Sequence, residues 1–266
     1  MMNFTDSHCH LADPALRDRL PDVLAQAAEQ GVTRFIVPAT QRSDWADVVQ
    51  LLAMNTPSEQ RVHIALGIHP WFAENAESQD FAELERLLQR YPQAWVGETG
   101  LDFLVNRPSE TQKQQQIEAF CRQLELAQKW QRPVIVHNVK ATAAIAEVVK
   151  QTGFTQGGIA HAFSGSVEEA QILLRCGFKI GIGSLLLNPN AKKVRQVVAK
   201  LAWQDMVLET DSPFMLHNQT NTPANVRRIA EIAAQLSGVD LAEIACKTEE
   251  NISKLLKQTA KPADLT

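Results

Sequence analysis

The sequence predicts an α/β fold, a TIM-like (β/α)8 barrel in a single domain. Three observations carry this reading. Short apolar runs alternate with amphipathic stretches about eight times along the chain. The length, 266 residues, is close to the ~250 typical of such a barrel. No Gly/Ser-rich linker or shift in composition divides the chain. An open doubly wound sheet is the alternative. That fold more often begins with a glycine-rich phosphate loop, and none follows the first strand. The expected domain covers residues 1–258, with a C-terminal tail at 259–266.

The first strand leads into Asp6-Ser7-His8-Cys9-His10-Leu11. Leu20, Val23, Leu24, Ala27 and Ala28 then fall at helical spacing, and Gly31 stops the helix. Thr33 to Val37 is β-rich and continuous, as a strand buried on both faces should be. A helix follows at about 43–53, and His63 to Gly67 is the third strand. Asp80 and Glu83 read as a capping box for a helix with Phe81, Leu84, Leu87 and Leu88 on its apolar face. Ala94 to Gly97 is the fourth strand, followed by a long helix over about 110–130. Pro133 to Val136 and Gly158 to Ala160 are strands five and six, with a helix near 141–151 between them. Ser166 and Glu169 cap the next helix. Phe178 to Ile182 and Met206 to Leu208 are strands seven and eight, and helices are expected near 191–201, 223–236 and 241–256.

The net charge of −4 argues against a broadly basic surface for gripping nucleic acid, though not against a local cleft where metal ions supply the positive charge. The cysteines at 9, 121, 176 and 246 are scattered and form no C-x-x-C. That spacing disfavours a disulfide framework or a thiolate zinc site and suits a reducing compartment. The first residues lack a basic, then apolar, leader, and no apolar run is long enough to cross a membrane. A cytoplasmic protein without a membrane or an obligate protein partner is expected.

His8 and His10 stand one residue apart on an extended segment, so both project to one face while Cys9 points away. Two strand residues span roughly 6.6 Å, short enough for two imidazoles to converge on one ion. Alone, the pair is a weak sign. The other chemistry-bearing residues strengthen it, because in such a barrel function sits at the C-terminal ends of the strands. His69 follows strand three, Glu98 strand four, His137 strand five, His161 strand six and Asp211 strand eight. Of the seven histidines, only His63 and His217 fall outside the pattern. With His69 set apart from the ligands, four histidines and two carboxylates exceed the needs of one tetrahedral ion and suit two ions sharing a carboxylate. Such a pair generates a nucleophile from water near neutral pH. Mixed imidazole and carboxylate ligation favours zinc or manganese, with magnesium behind them.

The runs Asp6-Ser7-His8-Cys9-His10-Leu11, Gly67-Ile68-His69-Pro70, Gly97-Glu98-Thr99-Gly100-Leu101-Asp102, His161-Ala162-Phe163-Ser164-Gly165 and Leu208-Glu209-Thr210-Asp211-Ser212-Pro213 resemble the signature set of the TatD-family metal-dependent hydrolases, among the amidohydrolase-like barrels. The overall run resembles the YjjV-like members, and the likeness runs from Asp6 to about Leu256. The resemblance implies a two-metal site. His8 and His10 hold the first ion with Asp211, His137 and His161 hold the second, and Glu98 bridges. Asp211 and Glu98 are the implied catalytic carboxylates, Asp211 acting on the attacking water. The implied substrate is a phosphoester, DNA included. The rim departs from the family pattern. His137-Asn138-Val139-Lys140 stands where an arginine is usual, and the loop after Ser212-Pro213 lacks an Arg-Gly pair. Lys140 offers a point charge in place of a planar fork, which bears on DNA more than on hydrolysis.

His69 reads as a substrate-facing group or a packed histidine, and Lys140 as a substrate contact. Asp102, Glu209 and Asp6 read as structural or orienting carboxylates. Trp71, Phe72 and Phe103 either floor the pocket, stack a base or pack. Two other functions compete with phosphoester hydrolysis. One is a small-molecule amidohydrolase or deaminase on the same metal core. The other is a metal-binding protein without catalysis.

Overall fold

The structure, a computed structural model, describes residues 2–54 and 60–259. Eight parallel strands pair in sequence order: β1 (Phe4–Asp6), β2 (Val32–Pro38), β3 (Arg61–Leu66), β4 (Trp95–Asp102), β5 (Val134–Val139), β6 (Gly158–Ala160), β7 (Phe178–Ile182) and β8 (Met206–Leu208). β1 returns to β8 to complete the barrel. Ser7 N–H donates to the Leu208 carbonyl at 2.9 Å, Asp211 N–H to His8 at 2.8 Å and His10 N–H to Ser212 at 2.7 Å. Ten α-helices surround the strands among the described residues: α1 (Pro14–Arg17), α2 (Leu20–Glu29), α3 (Trp45–Gln50), α4 (Ser78–Arg90), α5 (Glu110–Lys129), α6 (Thr142–Thr152), α7 (Val167–Arg175), α8 (Lys192–Lys200), α9 (Asn225–Ser237) and α10 (Leu241–Thr259).

Alternation along each strand divides the core in two. Phe35 and Val37 face the helices, while Ile36 faces inward. The interior is filled by Ile36, Ala65, Trp95, Ile135, Ile159 and Val207. Ile252 and Leu255 of α10 join this inner cluster, so α10 lies under the barrel and seals its N-terminal mouth. Polar bonds fix it there. Glu249 accepts from the Thr5 hydroxyl and from Arg34 Nη1 at 3.0 Å, and Asn251 Nδ2 donates to the Trp203 and Met206 carbonyls. With this end plugged, the opposite end is left for chemistry.

Two local expectations are corrected. Helix α4 starts at Ser78, with Glu77 as its cap and Asp80 as the third helical residue. Asp80 reaches back to the Glu77 N–H at 2.9 Å, and Glu83 instead pairs with Arg86 on the helix surface. Strands β4 and β5 also run further than their apolar runs suggest. After a register shift between Val96 and Thr99 they stay paired to Asp102 and Val139. Gly100 allows this at φ +123°, because a Cβ there would stand 2.2 Å from the His137 carbonyl oxygen. Glu98 and His137 therefore sit within paired strands, not in the loops beyond them. No helix among the described residues is long and apolar enough to cross a membrane. α10 continues to Thr259, and the rest of the expected tail lies outside the described residues.

Candidate metal centre

The extended run of β1 continues through a parallel bridge between Cys9 and Ser212. Cys9 is buried in the core, and His8 and His10 point to the other side with their Nε2 atoms 3.2 Å apart. Asp211 comes from the neighbouring segment after β8, its backbone in the left-handed region at φ +56°. Aspartate tolerates this conformation better than most residues. Asp211 Oδ1 lies 3.7 Å from His8 Nε2 and 3.4 Å from His10 Nε2.

Glu98, 3% exposed, stands in the middle. Its Oε2 faces His8 Nε2 at 3.3 Å and His10 Nε2 at 3.9 Å. Its Oε1 faces His161 Nε2 at 2.7 Å, His137 Nδ1 at 3.0 Å and His69 Nε2 at 3.2 Å. One carboxylate thus spans two groups of imidazoles, and the rings of His8 and His161 stack between the groups with centroids 3.9 Å apart. All six residues expected as ligands are brought together.

Hydrogen bonding sorts the two remaining imidazoles. His69 Nδ1 accepts the Trp71 N–H at 3.1 Å, so its proton lies on Nε2 and points at Glu98. His69 is thus arranged as a donor. His137 is the reverse. Its Nε2 donates to the Asp102 carboxylate at 3.2 Å, so Nδ1, facing Glu98 and His161, is the nitrogen that would give up its proton to a bound ion. Asp102, expected as a structural or orienting carboxylate, also holds its own loop, accepting from the N–H groups of Leu104 and Val105. The contact with His137 was beyond sequence reading.

Electrostatics follow from this crowding. Burial pushes the Glu98 carboxyl up, but His161, His69 and His8 outweigh it and hold it well below the usual carboxylate range. Burial, then the neighbouring His161, lowers His8 to about 4 against the pull of Glu98. Burial would also lower His137, yet Asp102 and Glu98 raise it to about 9. For His10 the Asp211 hydrogen bond overrides burial and raises the pKa. Asp211 is lowered against its burial by His10 and His8. The donor set fits divalent ions. His8 and His10 aim ring nitrogens at each other at 3.2 Å, as do His137 and His161, with ionised carboxylates beside both pairs. At that distance the two nitrogens of each pair share a proton, and a divalent ion that displaced it would meet converging lone pairs. His8, His10 and Glu98 form one cluster with metal-ligand spacing, His8, His161 and Asp211 a second, and His69, Glu98 and His137 a third.

Residues outside the cluster hold these groups in place. Asp6 accepts from the N–H and hydroxyl of Thr210 and from the His8 N–H, tying β1 to β8. Glu209 accepts from Ala162 N–H and thereby fixes the turn that carries His161. Two buried glutamines of α5 were missed from sequence. Gln123 grips both the N–H and the carbonyl of Ile68 beside His69, and Gln116 accepts the Asp102 N–H. Lys140 stands exposed just past β5, and His217 is exposed in the loop after β8. Phe72 and Phe103 are partly buried against the core, whereas Trp71 is half exposed.

A parallel barrel with clustered imidazoles and carboxylates at the C-terminal ends of its strands has the layout of a metal-dependent hydrolase. Comparison with known proteins agrees. The family model for TatD related DNase matches residues 5–257, and the chain belongs to that family. It is 34% identical to the uncharacterized metal-dependent hydrolase YjjV of Escherichia coli over 248 residues, covering 91% of this chain and 93% of that protein. The crystal structure of the Escherichia coli YjjV protein, a TatD homologue, superposes with a TM-score of 0.88 at 32% identity, covering 96% of this chain and 98% of the other. The human deoxyribonuclease TATDN3 is 28% identical, covering 96% of this chain and 94% of its own length.

Proposed function

We propose that this chain hydrolyses phosphoesters with the help of two divalent ions. The carrying observation is the division of Glu98, one carboxylate oxygen toward His8 and His10 and the other toward His137 and His161. In this reading His8, His10 and Asp211 hold one ion, His137 and His161 the other, and Glu98 both. The imidazole-rich ligation suits zinc or manganese ahead of magnesium. When bound, a divalent pair acidifies water and polarises the phosphoryl oxygen.

The protein's own groups have distinct tasks. Asp211, held ionised, accepts the proton of the attacking water on its carboxylate. Asp102 keeps the proton of His137 on Nε2, away from the ligating face. His69 carries its proton on Nε2, placed to donate to a phosphoryl oxygen. Lys140 supplies a point charge at the rim. The deoxyribonuclease name of the human relative makes DNA a candidate substrate.

Asp211→Asn tests the assignment. The variant should fold, with an unchanged far-ultraviolet spectrum, and lose about 10²–10⁴-fold in kcat on a phosphodiester, the range for removal of a general base. Full activity would overturn the assigned role.

A further inference from the structure

β3 and β4 pair over only two residues, Ala65 with Trp95 and Leu66 with Val96. Beyond them the barrel wall is parted. The Glu98 N–H instead donates to the Ala39 carbonyl, just past β2, at 2.7 Å. β4 continues to Asp102, paired there with β5. The Phe103 N–H donates to Val139 of β5, so by alternation the Asp102 N–H points into the gap. On the other side Ile68 is buried, and among the described residues no strand pairs with it. Buried backbone groups left unpaired are costly. His69 and Asp102 thus stand at the two lips of a gap, and both serve the metal centre. His69 Nε2 faces Glu98 at 3.2 Å, and Asp102 accepts from His137 at 3.2 Å.

Helix α5 fills the gap with side chains. Gln116 and Gln123 are seven residues apart, so they share a helix face about 10 Å apart along the axis. Gln123 is fully buried. Its Oε1 accepts the Ile68 N–H at 2.7 Å, and its Nε2 donates to the Ile68 carbonyl at 3.0 Å and to Ala119 of its own helix at 3.2 Å. One amide gives Ile68 both bonds that a neighbouring strand would give. Gln116 Oε1 accepts the Asp102 N–H at 2.9 Å. Packing alone needs no amide here, since an apolar side chain fills the same space without the cost of burying a polar group. The two amides stand where the sheet is missing, next to two groups with chemical tasks.

We propose that Gln123 and Gln116 are positioning residues for hydrolysis, Gln123 holding His69 against Glu98 and Gln116 holding Asp102 against His137. For the task of His69 this rests on the phosphoester reading above. The two glutamines have separable effects. Gln123 acts on the group that donates to substrate, and Gln116 acts on the ligand of one ion.

Glutamine-to-methionine variants keep the shape and remove the amide. With zinc-loaded protein and a chromogenic phosphodiester, Gln123→Met should lower kcat by about 10–100-fold and keep KM within about threefold, with both ions bound as in the parent. In a His69→Ala background the same change should cost less than about twofold, because the group it positions is gone. Gln116→Met should instead weaken one ion by about tenfold in a metal titration. Equal losses from Gln123→Met with and without His69, or identical defects in both glutamine variants, reduce the pair to packing and overturn the proposal. Ring 15N spectra of the histidines read the placement of His69 without turnover. Gln123→Met should shift the His69 signals and leave those of His8 and His10, and unmoved His69 signals count against the proposal. Hydrogen exchange on the unaltered protein does not depend on a variant folding. The Ile68 and Asp102 amides should exchange as slowly as those of Leu66 and Val96, and fast exchange at both overturns the bracing. If the parent hydrolyses no phosphoester, that reading fails by itself, and the spectra and exchange rates still decide whether α5 positions the two groups.

Discussion

Replacing Asp102 by asparagine exchanges one carboxylate oxygen for an amide nitrogen and should weaken half of the metal centre. The Oδ1 side survives, because an asparagine oxygen still accepts the N–H groups of Leu104 at 2.9 Å and Val105 at 2.8 Å. The Oδ2 side does not. There the new NH2 group would face the Trp71 ring N–H and His137 Nε2, which now lie 2.9 Å and 3.2 Å from a carboxylate oxygen. Donor meets donor unless His137 moves its proton to Nδ1, the atom that faces Glu98 at 3.0 Å. The wrong tautomer then points a proton where an ion should sit. Loss of two hydrogen bonds to a buried charge is worth about 2–4 kcal/mol of stability, or roughly 5–10 °C in Tm for a domain of this size. Loss of the orienting partner should lower affinity for one ion by about 10–100-fold and spare the other. Metal titration by calorimetry would show one tight and one weakened step where the parent shows two tight ones. Two ions bound with parent affinity by Asp102→Asn would refute the orienting role.

Other outcomes follow from the same geometry. Chelation of the metals should lower Tm by several degrees and re-addition should restore it, since saturation at 100–1,000 times Kd contributes about 3–4 kcal/mol; an unchanged melting curve would count against the centre. Gly181→Ala should cost about 1–3 kcal/mol in a denaturant melt, because the new Cβ would lie 2.4 Å from Oε2 of the buried Glu209. His63, which burial and the neighbouring Arg34 and Arg61 lower to about 4 from 6.5, should make the protein less stable as pH falls. The unfolded chain binds that proton near 6.5 and the folded chain only near 4, so stability is full above 6.5 and drops across this window by up to about 3 kcal/mol. His63→Gln should flatten that part of the pH profile, and an identical slope in both proteins would remove His63 as the cause. Lys140→Arg should lower KM for a phosphodiester several-fold with kcat little changed; an unaltered KM would place Lys140 away from the substrate.

The residues that were legible in the sequence share a physical reason. His8, His10, Glu98, His137, His161 and Asp211 are polar groups set directly after apolar strand runs, so their position in a barrel follows from chain periodicity alone. Strands β4 and β5 outrun their apolar stretches, and Gly97-Glu98-Thr99-Gly100 within β4 has the composition of a turn. Its glycines instead permit a close approach to β5. Gln116 and Gln123 escaped notice because glutamine on a helix ordinarily faces water. Nothing in the order of residues reveals that these two face inward to bind loop backbone. The tautomers of His69 and His137 were equally hidden, since each is set by a partner in three dimensions: the Trp71 N–H for one and Asp102 for the other.

The closure of β1 on β8 has a consequence for how the protein is made. Asp6 and Thr210, which bond across that seam, are 204 residues apart in sequence. At the usual pace of translation, His8 and His10 precede Asp211 out of the ribosome by roughly 10–40 s. Throughout that interval the histidine pair lacks Asp211, and β1 has β2 beside it but not β8. Under the proposed ligand assignment, tight ion capture therefore comes last, as the record of a finished barrel. On that assignment, a chain lacking Asp211 would carry neither the metal nor the hydrolytic activity that depends on it.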